Sequence, residues 1–165
     1  MFDPTAFDNM KVVTEGAAYD LDLSGDLRII DRKDIVDLAT MSRKYELKFS
    51  LKQGTDLEAH LILEANGEQI MDELQGKIGF GRAGALITLI FSWKNGKWSK
   101  HDEEKVKQLW GEERTYERRD IISSQAGTVS ELIIEFNRLI TEEMVDDLVE
   151  MVNHINHSLH ELQIT

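Results

Sequence analysis

The sequence predicts an α+β protein, with a largely antiparallel sheet built from β-hairpins alternating with short helices and followed by two C-terminal helices. Three observations carry that expectation. Blocks of period-two alternation come in pairs joined by turn residues, stretches with helical spacing fall between the pairs, and the chain ends in a long amphipathic stripe.

Composition sets the frame. The 165 residues suit a single domain with a core of its own, and 41% apolar with 30% charged residues describes a soluble globular chain. There is no cysteine, so neither disulfides nor thiolate metal sites arise. The Met1-Phe2-Asp3-Pro4 start has no basic region or apolar leader, and the apolar run from Ala85 to Phe91 is too short for a bilayer. Cytoplasmic location without a membrane partner is therefore expected. A net charge of −12 argues against nucleic acid as a partner. From Glu131 onward eight carboxylates face Arg138 alone.

Residues 1–10 show no period and read as a frayed arm. Tyr19, Leu21 and Leu23 alternate with Asp20, Asp22 and Ser24, and Ser24-Gly25-Asp26 is turn chemistry. A hairpin with Leu27-Arg28-Ile29 sets Leu23 opposite Leu27 and Asp22 opposite Arg28. Asp31 is then placed to cap a short helix carrying Ile35, Leu38 and Ala39. In the second hairpin, Tyr45, Leu47, Phe49 and Leu51 pair with Leu57, Ala59, Leu61 and Leu63. Residues sharing a face require an odd loop, and Gln53-Gly54-Thr55 sets Lys48 beside His60. Asn66 and Gln69 form a capping-box pair for the next helix, which carries Ile70, Met71 and Leu74 and stops at Gly76.

A third hairpin is expected over Ala85–Lys100. Ala85, Ile87, Leu89, Phe91 and Trp93 share a face, and an Asn95-Gly96 turn would pair Trp93 with Trp98. A helix ending at Gly96 competes with it. Asp102 to Trp110 reads as a short helix with Val106 and Leu109 inward, while Glu112–Gln125 is charged and ambiguous. Thr128-Val129-Ser130-Glu131 resembles a capping box, and Val129, Leu132, Ile133, Phe136, Leu139 and Ile140 follow at helical spacing. At about 100° per residue that stripe points roughly 140° away from the stripe that follows. Either the chain breaks near Thr141, or residues 131–140 are a strand.

The final helix, 141–162, is the clearest element. Val145, Leu148, Val152, Ile155, Leu159 and Leu162 recur at steps of 3, 4, 3, 4 and 3, the a/d seam of a heptad. Thr141 stands at its start, followed by Glu142, Glu143, Asp146 and Asp147 where the helix dipole favours negative charge. Such a seam either covers the chain's own sheet or pairs with a second copy, so these six residues are the partner-binding candidates.

Signals for chemistry are sparse. Gly79-Phe80-Gly81-Arg82-Ala83-Gly84 matches G-x-G-x-x-G, but a dinucleotide site needs a strand before it and a helix after it, and here that order is reversed. No kinase lysine, HRD or DFG pattern follows. Gly79, Gly81, Arg82 and Gly84 are the ligand-binding candidates, set against a tightly packed or flexible connection. His154, His157 and His160 fan too widely around a helix to share one metal ion. Asp20 and Asp22 share a strand face in the hairpin, where Arg28 accounts for Asp22. Neither a nucleophile, a metal site nor a cofactor is indicated. The sequence thus points to a small non-catalytic interaction or regulatory protein that forms a homo-oligomer through its last helix. The alternative is a ligand-binding or enzymatic domain with a small-molecule or nucleotide site near Gly79–Gly84.

Overall fold

A computed structural model describes residues 5–53, 56–75 and 84–163. In chain order these form α1 (Thr5–Ser24), β1 (Leu27–Asp37), β2 (Ser42–Leu51), β3 (Leu57–Ala65) and α2 (Gly67–Leu74). There follow β4 (Ala85–Lys94), α3 (Lys100–Trp110), β5 (Thr115–Ser123), β6 (Gly127–Ile140), a 3₁₀ turn (Glu142–Met144) and α4 (Val145–Gln163). The six strands make one antiparallel sheet in the order β1-β2-β3-β4-β6-β5. The α+β class and the antiparallel sheet are as expected. Among the described residues no helix is long and apolar enough to cross a membrane.

The centre of the sheet follows its alternation. Tyr45, Leu47 and Phe49 of β2, Leu57, Leu61 and Leu63 of β3, and Ile87, Leu89 and Phe91 of β4 are all buried on one face. Lys48 lies opposite His60, as the odd loop requires. Helices cover this face only. Tyr45 donates its hydroxyl hydrogen to Glu15 of α1 at 2.8 Å, Trp110 of α3 packs on Phe91, and α4 lies against α1, β2 and β3. The other face carries Lys48, His60, Ile62, Ile90, Ile133 and Glu131, with no described helix over it. There His60 pairs with Glu46 at 3.0 Å; burial lowers the imidazole's pKa, and Glu46 opposes that shift.

Four expectations are corrected. Residues 5–24 are one helix, and neither a frayed arm nor the first strand of a hairpin. Phe7, Met10, Thr14, Ala17 and Leu21 recur at steps of 3, 4, 3 and 4, and this stripe packs inward, whereas Leu23 is 86% exposed. Asp22 acts at the helix end, where its carboxylate accepts from the Ile29 N–H at 3.0 Å and faces Lys52 at 3.7 Å. Residues 31–37 belong to β1, an edge strand paired with β2 through Asp37↔Ser42, with an irregularity at Ile30. The chain after Asn95-Gly96 runs through residues 97–99 into α3 with no returning strand, so Trp93 and Trp98 meet as a T-shaped pair at 6.1 Å without a hairpin. Residues 127–140 are strand β6, so a single helix closes the chain after a break at Thr141.

Local caps behave as the sequence indicates. Asn66 and Gln69 exchange side-chain to backbone hydrogen bonds at 2.9 and 2.8 Å. Ser99 accepts from the Asp102 N–H at 3.1 Å to open α3. Gly111 ends α3 at a φ of +95°, a conformation that favours glycine. The stop expected at Gly76 lies outside the described residues.

Candidate functional site

The stripe of α4 sits inside the protein. Leu148, Val152, Ile155, Leu159 and Leu162 are buried in the chain's own core and Val145 packs at its margin. The six partner-binding candidates are thereby corrected: sheet and α1 already occupy the seam, and a second copy could reach it only by unpacking the domain. Each such buried side chain contributes about 1.5–3 kcal/mol relative to exposure, so this surface is not free for exchange. Of the ligand-binding candidates, Gly79, Gly81 and Arg82 lie outside the described residues. Gly84 is described, and a Cβ there would run into the Ile140 carbonyl oxygen. Close approach of β4 to the end of β6 accounts for that glycine.

A concavity lined by aromatic side chains lies next to this contact. A cleft of about 370 Å³ opens between the helical layer and the sheet, with Ile87 from β4, Phe136, Arg138 and Ile140 from β6, Leu109 and Trp110 from α3, and Arg114 ahead of β5. Its remaining wall is the flank of α4, where Asp147, Glu150, Met151 and His154 recur at helical spacing beside the buried seam. The volume is within the range of small-molecule sites.

A bulge in β6 shapes the cleft. Register shifts between Thr88↔Glu135 and Leu86↔Leu139, so three residues of β6 face one of β4. Asn137 absorbs the bend with a φ of +55°, in the left-handed region that asparagine tolerates, and its side-chain amide donates to Thr115 Oγ1 at 2.7 Å. Phe136 and Arg138, on either side of it, both line the cleft.

The floor is a fixed aromatic cluster. The Trp110 ring lies 5.8 Å from Phe136, 6.4 Å from Phe91 and 4.4 Å from His154. Its indole N–H donates to Ser158 Oγ at 3.0 Å, and that hydroxyl donates to the His154 carbonyl oxygen at 2.7 Å. His154 Nε2 lies 2.7 Å from the Leu109 carbonyl oxygen, an acceptor, which places the ring hydrogen on Nε2. His157 stacks on His154 at 6.0 Å. These contacts give His154 a packing role rather than one in a nucleophile–base pair. Among the described residues no three histidine, aspartate or glutamate side chains are grouped to hold a metal ion.

The mouth is charged. Arg138 faces Asp147 at 3.8 Å with both side chains about half exposed, an arrangement worth little in stability. The Arg114 guanidinium lies over the Phe136 ring, 4.9 Å from its centroid. Arg114 Nε is buried and has no acceptor among the described residues. Compared with known protein families, curated proteins and solved structures, the chain matches none.

Proposed function

We propose that the chain is a cytosolic, non-catalytic regulatory protein that binds a small apolar molecule in the cleft between α3, α4 and the bulged end of β6. One observation carries this reading: the preformed cavity of about 370 Å³ brings aromatic and aliphatic side chains from four elements together with a few charged ones. Its polar groups do not form a catalytic constellation, because His154 is held by Leu109 and Arg138 by Asp147. The net charge of −12 speaks against nucleic acid as a partner. The test is a melting and NMR screen with apolar fragments against wild type and Leu109→Trp, which fills the cleft. Shifts at the Trp110 indole N–H that disappear in Leu109→Trp support the reading. A screen that moves no cleft resonance rejects it.

A second reading rests on the uncovered sheet face. The half-buried Ile62 and Ile90 lie together at its centre beside Ile133, which is itself buried, with Glu46, Lys48, Glu131 and Glu135 around them. An apolar centre with a charged rim is the anatomy of a protein interface, and a protein partner or second copy would use this face in place of the α4 seam. Light scattering on wild type and Ile90→Lys tests it. A dimer that the substitution splits supports self-association here, and a wild type that stays monomeric at high concentration counts against it.

A further inference from the structure

We infer that the cleft takes an apolar monocarboxylate, its hydrocarbon or aryl body on Trp110 and Phe136 and its carboxylate on the guanidinium of Arg114. The inference rests on the ligand-binding reading above and adds the class of molecule.

Arg114 carries the argument. It is half-buried, yet among the described residues it makes neither an ion pair nor a hydrogen bond; its guanidinium lies over the Phe136 ring, and its charge also acts on the nearby Tyr116 hydroxyl. Removing a guanidinium from water is unfavourable unless an acceptor replaces the lost hydration. The planar fork of donors fits a carboxylate in bidentate fashion. Phe136, next to the bulge at Asn137, carries that fork 4.9 Å from its ring centroid.

Charge balance selects the headgroup. The mouth carries Arg114 and Arg138 against Asp147 and Glu150, which sum to zero, and Arg138 already faces Asp147. A monoanion adds a single negative charge, the least an ionised acid can bring, and Arg114 is the cation of the mouth that does not already face a carboxylate. A phosphate dianion would bring more negative charge beside Asp147 and Glu150, on a chain whose net charge is already −12. An amine would have to accept Arg114 as its neighbour. The body follows from the floor, where Trp110, Phe136, Leu109, Ile87, Ile140 and Met151 offer flat and branched apolar surface.

The experiment compares acids with their uncharged counterparts: indoleacetate against indole, and octanoate against octanol. Each is titrated into ¹⁵N-labelled protein while the indole N–H of Trp110 and the Nε–H of Arg114 are followed. The expected result is saturable shifts at both signals, with at least one acid binding about tenfold more tightly than its counterpart, the scale of a charge-assisted hydrogen bond. Arg114→Gln should bring that acid down to the level of its counterpart and leave the uncharged compound unchanged. Arg114→Lys, which keeps the charge without the fork, should retain part of the preference and guards against a folding defect in the glutamine variant. Equal binding of acids and uncharged compounds would overturn the inference and leave the cleft reading standing. Absence of any shift at Trp110 with all four compounds would overturn both.

Discussion

Val152 offers the sharpest test of where α4 belongs. It is fully buried, with α1 and the sheet around the helix. Val152→Ala removes two methyl groups, about 1.6 kcal/mol at roughly 0.8 kcal/mol each. A residual void near 30 Å³ adds about 0.7 kcal/mol at roughly 24 cal/mol per Å³. The alanine variant should therefore lose about 2 kcal/mol and stay folded. Val152→Asp loses the same contacts and also buries a carboxyl without a partner, a further cost of at least ~1–3 kcal/mol even when it is protonated. The total approaches the ~5–15 kcal/mol available to an ordinary domain, so the aspartate variant should be largely unfolded or molten. Urea denaturation followed by circular dichroism, at two protein concentrations, measures both variants. The core assignment predicts midpoints that fall in the order wild type, alanine, aspartate, independently of concentration. A Val152→Asp protein that is folded, monomeric and as stable as wild type would refute the reasoning, since Val152 would then have to lie on a surface.

Three further outcomes are expected. Asp34 accepts from Arg43 at 3.1 and 2.8 Å and from Lys11 at 2.8 Å, and the hydrogen bond from Arg43, followed by that from Lys11, holds its carboxyl below the usual carboxylate range. Its contribution is therefore complete above the unfolded value of about 3.9 and is lost as pH falls through the lower folded value, so Asp34→Asn should cost ~1–2 kcal/mol at neutral pH and converge with wild type in acid. Gly16 lies on the exposed side of α1 with nothing near the position of a Cβ, so Gly16→Ala should raise stability by about 0.5–1 kcal/mol in thermal melts. Ser158→Ala leaves the Trp110 indole N–H unpaired inside the protein and should cost about 1–3 kcal/mol, with a changed Trp110 indole signal as the local readout.

What could be read locally was whatever obeyed one period in one environment. β2, β3 and β4 are half-covered strands whose alternation is clean, and α4 is a helix with one buried stripe, so both classes announce themselves. In α1 the alternation of Tyr19, Leu21 and Leu23 sits inside a longer helical stripe whose inward positions include Thr14, Ala17 and Ala18, residues too small or too polar to mark it. β1 and β5 are largely exposed on both faces, so the charged runs 31–34 and 117–120 carry no period at all. In β6 the bulge moves the phase of the strand: Leu132, Ile134 and Phe136 follow at steps of two, and Ile140 then returns to the covered side after four. Strand spacing interrupted in this way counts as helical spacing. The cleft had no local signature, since it joins residues from Ile87 to His154 on four elements; its one sequence trace was an asparagine at a place where the strand must bend.

The two outer strands carry a consequence for behaviour in solution. An open sheet leaves unpaired backbone donors and acceptors along each outer strand, the template on which chains extend one another into fibres. Here Asp31-Arg32-Lys33-Asp34 occupies the middle of one border and Glu117-Arg118-Arg119-Asp120 the middle of the other, each a largely exposed block of mixed charge. The irregularity at Ile30 further spoils the first border as a straight template. Growth sideways is thus opposed at both borders, which leaves the broad face of the sheet as the direction in which copies can meet without polymerising.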